Sequence, residues 1–132
     1  MLDGLNHITI TVKDLEKSLE FYTSVLGMKP IVKWQKGAYL TLGDLWFCLS
    51  SGEPLPSGDY SHIALNVVEP NFSHIEKKLL NSGAQVWKEN ISEGNSLYFL
   101  DPNGHKLEVH VGNLDSRLLA LKKNPREGLE WL

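Results

Sequence analysis

Apolar and polar residues alternate in two segments that nearly copy each other, Asn6-His7-Ile8-Thr9-Ile10-Thr11-Val12 and Ser61-His62-Ile63-Ala64-Leu65-Asn66-Val67. A period of two places Ile8, Ile10 and Val12 on one strand face and His7, Thr9 and Thr11 on the other. Ile63, Leu65 and Val67 oppose His62, Ala64 and Asn66 in the same way, so both histidines fall on polar faces. Each strand is followed by helix signals. Asp14 is placed to cap a helix over 15–26 that stops at Gly27, and Pro70 starts one that runs to about 81 and stops at Gly83. Both halves then close with a hairpin, 39–42 with 45–49 around Gly43-Asp44, and 97–100 with 106–111 around Asp101-Pro102-Asn103-Gly104. The pattern predicts an α+β chain of two tandem βαβββ modules, about 1–58 and 59–112, forming a curved mixed sheet. The stretch 50–58 between them reads as a loop too short to separate independent domains. Asn113 is placed to cap a last helix with Asp115 in its first turn, Leu118, Leu119 and Leu121 as its apolar side and Pro125 as its end; the tail to residue 132 has no assigned structure.

Composition narrows the class without changing this plan. A chain of 132 residues that is 42% hydrophobic holds one compact domain's worth of core. A net charge of -3 with no long run of either sign gives no reason to expect a nucleic-acid or anionic-membrane partner. Cys48 is alone and has no intrachain disulfide partner, and the opening Met-Leu-Asp-Gly-Leu lacks the basic and apolar regions of a secretory signal. The expected setting is a reducing cytoplasm. No apolar stretch approaches the roughly 20 residues that span a bilayer.

Chemistry enters through the pseudo-symmetry. Aligning the last strands of the two hairpins makes Glu108 correspond to Cys48, so the four related positions are His7, Cys48, His62 and Glu108. Leu107, Val109 and Val111 share one face of the last strand, which turns Glu108 and His110 to the other. Two imidazoles and one carboxylate make a metal site with open coordination positions, and open positions serve chemistry rather than scaffolding. A single strand histidine is more often a packed side chain than a ligand; recurrence at the same repeat position favours the ligand. His74, on a helix surface, and His105, in a turn, read as solvated side chains, and His110 as a bystander.

The duplicated plan with His, His and Glu resembles the vicinal oxygen chelate superfamily. The strings Gly-Leu-Asn-His at 4–7, Gly-Ala-Tyr-Leu at 37–40, Asp-Leu-Trp at 44–46, Ser-Glu-Gly-Asn-Ser at 92–96 and Tyr-Phe-Leu-Asp-Pro-Asn-Gly-His at 98–105 resemble the FosA type of fosfomycin-resistance thiol transferase over nearly the whole chain. The resemblance implies a divalent ion, usually Mn²⁺, on His7, His62 and Glu108, with Zn²⁺ or another divalent ion able to compete for the same ligands. It implies that fosfomycin binds through its phosphonate and epoxide oxygens and that a thiolate opens the epoxide from behind. Around the phosphonate it places Thr9, Lys88, Ser92, Ser96, Tyr98 and Arg117, with Trp46 and Cys48 as pocket wall. On the thiol side it places Trp34, Lys36, Tyr39, Ser50 and Lys88, with Thr9 and Tyr39 in catalytic roles. A K⁺ ion is implied at Asn90, Ser92, Gly94 and Ser96. It also implies a homodimer that exchanges modules, so that each site takes His7 from one chain and His62 with Glu108 from the other.

Read without the family, Arg117 is a solvated helix charge, Lys88 a strand-edge lysine, Trp46 and Cys48 core packing, and 90–96 a plain hairpin loop. The chain departs from glutathione-using members on the thiol side: Ile91 follows Asn90 where they carry an arginine, Lys36 stands for a glutamine, and Arg126 for a tyrosine. Glutathione is the expected thiol. Two other classes stay open from the residues alone. A hydrolase on this scaffold would need a general base such as Asp44, and a drug-binding module would sequester without turnover.

Overall fold

The computed structural model describes residues 1–132. The first half runs β1 (His7–Val12), α1 (Leu15–Glu20, continued by a π-helical turn over Phe21–Val25), β2 (Lys29–Trp34), β3 (Gly37–Leu42) and β4 (Leu45–Ser51). The second runs β5 (Ile63–Asn66), α2 (Glu69–Asn81), β6 (Val86–Lys88), β7 (Ser96–Leu100) and β8 (Lys106–His110), and α3 (Leu114–Lys123) follows. Each half builds its own four-stranded sheet, in the order β1-β4-β3-β2 and β5-β8-β7-β6. In both, the first and last strands pair in parallel and the other neighbours are antiparallel. A parallel pair requires a crossover, which the helix of each half supplies.

Local chemistry explains most of the boundaries. The Asp14 carboxylate accepts from the Lys17 backbone N–H at 3.1 Å and starts α1, and Gly27 at φ 78° ends the helical run. That run is not one regular helix, as the spacing predicts. It widens into a π turn where the Thr23 hydroxyl donates to the Leu19 carbonyl at 2.7 Å, competing with the backbone ladder. Strands β2 and β6 carry no alternation that marks them in the sequence. Both lie at sheet edges and both pairings are interrupted by a register shift, at Pro30/Val32 and Val86/Lys88. Every residue of β2 is exposed, so no buried face imprints a period on it. Helix α3 has the predicted cap, reinforced by reciprocal bonds between Asn113 and Ser116, but none of its residues is buried: Leu118 and Leu121 are half-buried and Leu114 and Leu119 exposed.

Helices α1 and α2, the π turn and the apolar faces of both sheets share one core. Val12, Tyr22, Leu40, Phe47 and Leu49 from the first half meet Leu65, Leu79, Phe99 and Leu107 from the second, with Phe21 and Phe99 rings 6.3 Å apart at the seam. A polar knot pins the same seam. Asp101, only 5% exposed, accepts from the Tyr22 hydroxyl at 2.7 Å, from the Asn103 amide at 3.1 Å, and from the backbone N–H groups of Asn103 and His105 at 2.8 Å each. Four donors satisfy a carboxylate that burial would otherwise penalise. His105 corrects a sequence expectation here, because it is not a solvated turn residue: its Nε2 bonds the Thr11 carbonyl at 2.6 Å across the two halves. With the apolar faces spent on a common core, the polar face of each sheet is what remains for binding.

Candidate active site

Register decides which side chains meet, since directly paired residues on neighbouring strands point to the same side of a sheet. In the first sheet His7 pairs with Trp46, Thr9 with Cys48, and Thr11 with Ser50. Tyr39 pairs with Cys48, Gly37 with Ser50 and with Trp34. His7, Thr9, Trp34, Tyr39, Trp46, Cys48 and Ser50 therefore share one face. Its middle is an aromatic row in which Trp34 meets Tyr39 at 4.8 Å, Tyr39 meets Trp46 at 5.2 Å and Trp46 meets His7 at 4.4 Å between ring centroids. Tyr39 is exposed and Cys48 buried, so the thiol is wall while the phenol reaches outward. Lys36 lies off this row, in an open groove beside α1 with Lys13, Lys17 and Lys33; Trp34 lines both.

The second sheet gathers the charged members. Ala64 pairs with Glu108, Tyr98 with Glu108, Lys88 with Tyr98, and Ser96 with His110. Glu108 is 5% exposed and acts as the hub. Its Oε1 lies 3.1 Å from His62 Nε2, and its Oε2 accepts from the Ser96 hydroxyl at 2.6 Å. Lys88 Nζ sits 4.7 Å from the Tyr98 ring centroid and 5.3 Å from that of Tyr60. Burial raises the Tyr98 phenol above its ordinary range, and Glu108 and Tyr60 add to that, against a Ser92 hydrogen bond and the Lys88 charge that favour ionisation. At neutral pH Tyr98 is a hydroxyl donor.

Donor chemistry tests whether these groups suit a cation. His62 Nδ1 is 2.8 Å from the Tyr60 carbonyl, an acceptor only, so Nδ1 carries a proton and the neutral ring presents a lone pair at Nε2. That lone pair faces a carboxylate oxygen at 3.1 Å. Two acceptors brought this close want a proton or a metal between them, and an imidazole oriented by a backbone carbonyl is the usual support of a metal ligand. His7 is prepared alike, with Nδ1 2.7 Å from Asn6 Oδ1 and Nε2 left free. These residues fit a divalent ion by type and orientation, yet no three His, Cys, Asp or Glu side chains of one chain are placed to hold it. His62 and Glu108 face each other on the second sheet, and His7 stands on the first.

The remaining predicted residues divide. Arg117 does not point free: its Nε donates to Glu93 at 3.0 Å. In the loop 90–96, Asn90 Nδ2 donates to the Gly94 carbonyl at 2.9 Å, while Asn90 Oδ1 accepts from the Ser92 backbone and hydroxyl at 3.0 and 2.9 Å. Gly94, at φ 76°, passes so near the Val111 carbonyl that a Cβ would lie 2.2 Å from it, which requires glycine there. Ser96 spends its only proton on Glu108. His110, read from the sequence as a bystander, belongs to the cluster, with Nδ1 2.5 Å from Ser96 Oγ and Nε2 3.7 Å from Glu93. Its signal in the sequence was the i, i+2 spacing from Glu108 on the same strand face.

Comparison with known proteins places this arrangement. Residues 4–109 match the Glyoxalase/Bleomycin resistance protein/Dioxygenase superfamily. The chain is 48% identical to the glutathione transferase FosA of Serratia marcescens, over 98% of this chain and 95% of that one. It is 35% identical to the metallothiol transferase FosB of Shouchella clausii, over 93% and 90%. Among solved structures, the fosfomycin resistance protein FosX of Listeria monocytogenes complexed with Mn(II) and sulfate superposes with a TM-score of 0.82 at 30% identity, covering 91% of this chain and 98% of that one.

Proposed function

Because the chain belongs to the glyoxalase/bleomycin resistance protein/dioxygenase superfamily and is a fosfomycin-resistance thiol transferase by its likeness to FosA and FosB, we propose that it joins glutathione to fosfomycin by opening the epoxide at a Mn²⁺ centre shared between two chains. The observation that carries the metal centre is the opposition of His62 Nε2 and a Glu108 oxygen at 3.1 Å, two acceptors that call for a cation between them. The relative crystallised with Mn(II) supports manganese as the ion.

His62 and Glu108 of one chain hold the ion together with His7 of the other. When bound, the ion supplies Lewis acidity, stabilising negative charge as it develops on the epoxide oxygen. Lys88 and Tyr98 bring a cation and a hydroxyl donor to the phosphonate from the second sheet, and Thr9 brings a hydroxyl from the first. Ser92 adds a hydroxyl by turning its proton from Asn90 Oδ1 to the phosphonate. Arg117 reaches the phosphonate with its terminal nitrogens, its Nε staying on Glu93. Trp46 and Cys48 wall the drug's carbon side and exclude water. Tyr39, the exposed phenol of the aromatic row, donates to the sulfur and favours thiolate over thiol. Trp34, Lys36 and Ser50 line the approach of the tripeptide. We assign K⁺ to the loop 90–96, where the polar atoms of Asn90, Ser92 and Gly94 crowd within about 3 Å of one another and Ser96 links the loop to Glu108.

A hydrolytic reading is weaker, since Asp44, the base it would call on, is exposed in the turn between β3 and β4. The purified protein with fosfomycin, Mn²⁺ and K⁺, followed by ³¹P NMR, tests the reading. A glutathione adduct that needs both metal and thiol is expected; a diol formed without thiol would replace transferase with hydrolase.

A further inference from the structure

Between Glu108 and the loop 90–96 runs a short chain of hydrogen bonds whose direction can be worked out. Glu108 Oε2 only accepts, so the Ser96 hydroxyl donates its single proton there at 2.6 Å. Ser96 Oγ then has only lone pairs left for His110 Nδ1 at 2.5 Å, and His110 must donate. The tautomer follows: Nδ1 carries the proton. Burial makes the bonds count, since the Glu108 and His110 side chains are 7% and 15% exposed, and little water competes with them. The effect is to commit Oε2 to protein and leave Oε1 facing His62 Nε2.

We propose that His110 is a positioning residue for the metal centre: by donating through Ser96 it fixes the rotation of the Glu108 carboxylate, so that one chosen oxygen, Oε1, is presented to the ion beside His62. The inference rests on the metal centre proposed above and deepens it. His110 is no ligand. Its Nδ1 donates to Ser96 and lies 3.4 Å from Oε2, the Glu108 oxygen already committed to protein, and its Nε2 points to Glu93 at 3.7 Å rather than into the His62–Glu108 gap. Outer partners of this kind set ligand orientation, and losing one typically lowers metal affinity roughly 10- to 100-fold.

Two nearly isosteric substitutions separate the two ring nitrogens. An asparagine amide nitrogen can occupy the place of Nδ1 and still donate to Ser96, whereas a glutamine amide reaches the place of Nε2 and leaves Ser96 without its donor. Mn²⁺ affinity is read by electron paramagnetic resonance, counting free aqueous ion against the wild type, His110→Asn and His110→Gln, with thermal melts to show that each is folded. His110→Gln should bind Mn²⁺ at least about tenfold more weakly, and His110→Asn should recover most of the loss. Equal affinity in all three proteins, or an Asn variant that falls as far as the Gln variant, overturns the proposal. The failure of the underlying reading looks different: a wild type that binds Mn²⁺ yet makes no adduct refutes the transferase and leaves the positioning role standing, while a wild type that binds no Mn²⁺ removes both.

Discussion

The two halves of this chain repeat one plan and one register, yet they offer opposite chemistry on equivalent faces. In the first sheet, Thr9 pairs across to Cys48; in the second, Ala64 pairs across to Glu108. The first face is an aromatic row with one imidazole at its end. The second is a hydrogen-bonded cluster around a buried carboxylate. Duplication accounts for the matching geometry, because a strand period of two keeps the same set of positions on the polar side in both copies. Divergence at one paired position accounts for the chemistry. A buried carboxylate needs partners, and Ser96, His62 and His110 surround Glu108, whereas buried Cys48 needs none and packs as a small apolar residue.

The largest effect should come from removing that one charge. Glu108→Gln keeps the shape of the side chain and its bond to Ser96 but loses the anionic ligand, and fosfomycin conversion should fall by more than the roughly 100-fold that an outer-shell loss costs. Conversion at the wild-type rate in a folded Glu108→Gln protein, measured by ³¹P NMR, would take Glu108 out of the site.

Mixing variants tests whether the two faces come from different chains. His7→Ala and Glu108→Gln should each be inactive alone. After unfolding and refolding together, half of the dimers pair the two variants, and one of each pair's two sites regains all its ligands, so about a quarter of wild-type activity should return. No recovery at all would mean that His7 and Glu108 serve the same site from the same chain.

A third prediction concerns the seam that holds the halves in register. Burial, and after it the negative charge of Asp101, pushes the Tyr22 phenol above its ordinary range. A raised pKa in the folded state means that the unfolded chain gives up this proton first. Stability from this group is therefore whole below pH of about 10 and declines as pH rises above it. Tyr22→Phe should cost about 1–3 kcal/mol at neutral pH, since Asp101 loses a donor, and should flatten the alkaline side of a stability-versus-pH curve measured by urea melts. An unchanged alkaline slope would show that Tyr22 does not report the seam.

The smallest effect belongs to the position equivalent to Glu108. Cys48→Ala removes one buried sulfur and should cost about 1 kcal/mol in a urea melt, while adduct formation continues, slowed far less than by Glu108→Gln because only pocket wall is lost. Loss of turnover on the scale of Glu108→Gln would mean that Cys48 contributes chemistry the comparison denies it.

Much of this was legible in the chain itself. Alternation around His7 and His62, the Asp14 and Asn113 caps, the stops at Gly27 and Gly83 and the two hairpin turns are local signals. Each rests on backbone geometry within a few residues, so the two βαβββ units and their polar faces could be read directly. The same period put Glu108 and His110 side by side. Edge strands β2 and β6 were not legible, because β2 is exposed along its whole length with no buried face to impose a period, and β6, of three residues, is too short to show one. Nor was the work of His105 and His110. A histidine in a turn or on a strand looks the same in sequence whether it meets water or a partner. Only the fold brings His105 to the Thr11 carbonyl, 94 residues away, and His110 to Ser96 across a hairpin. What the sequence determined is which residues face which way along each element. Tertiary structure decided which of those faces meet and which atoms are left without a partner, since that depends on contacts between residues far apart in the chain.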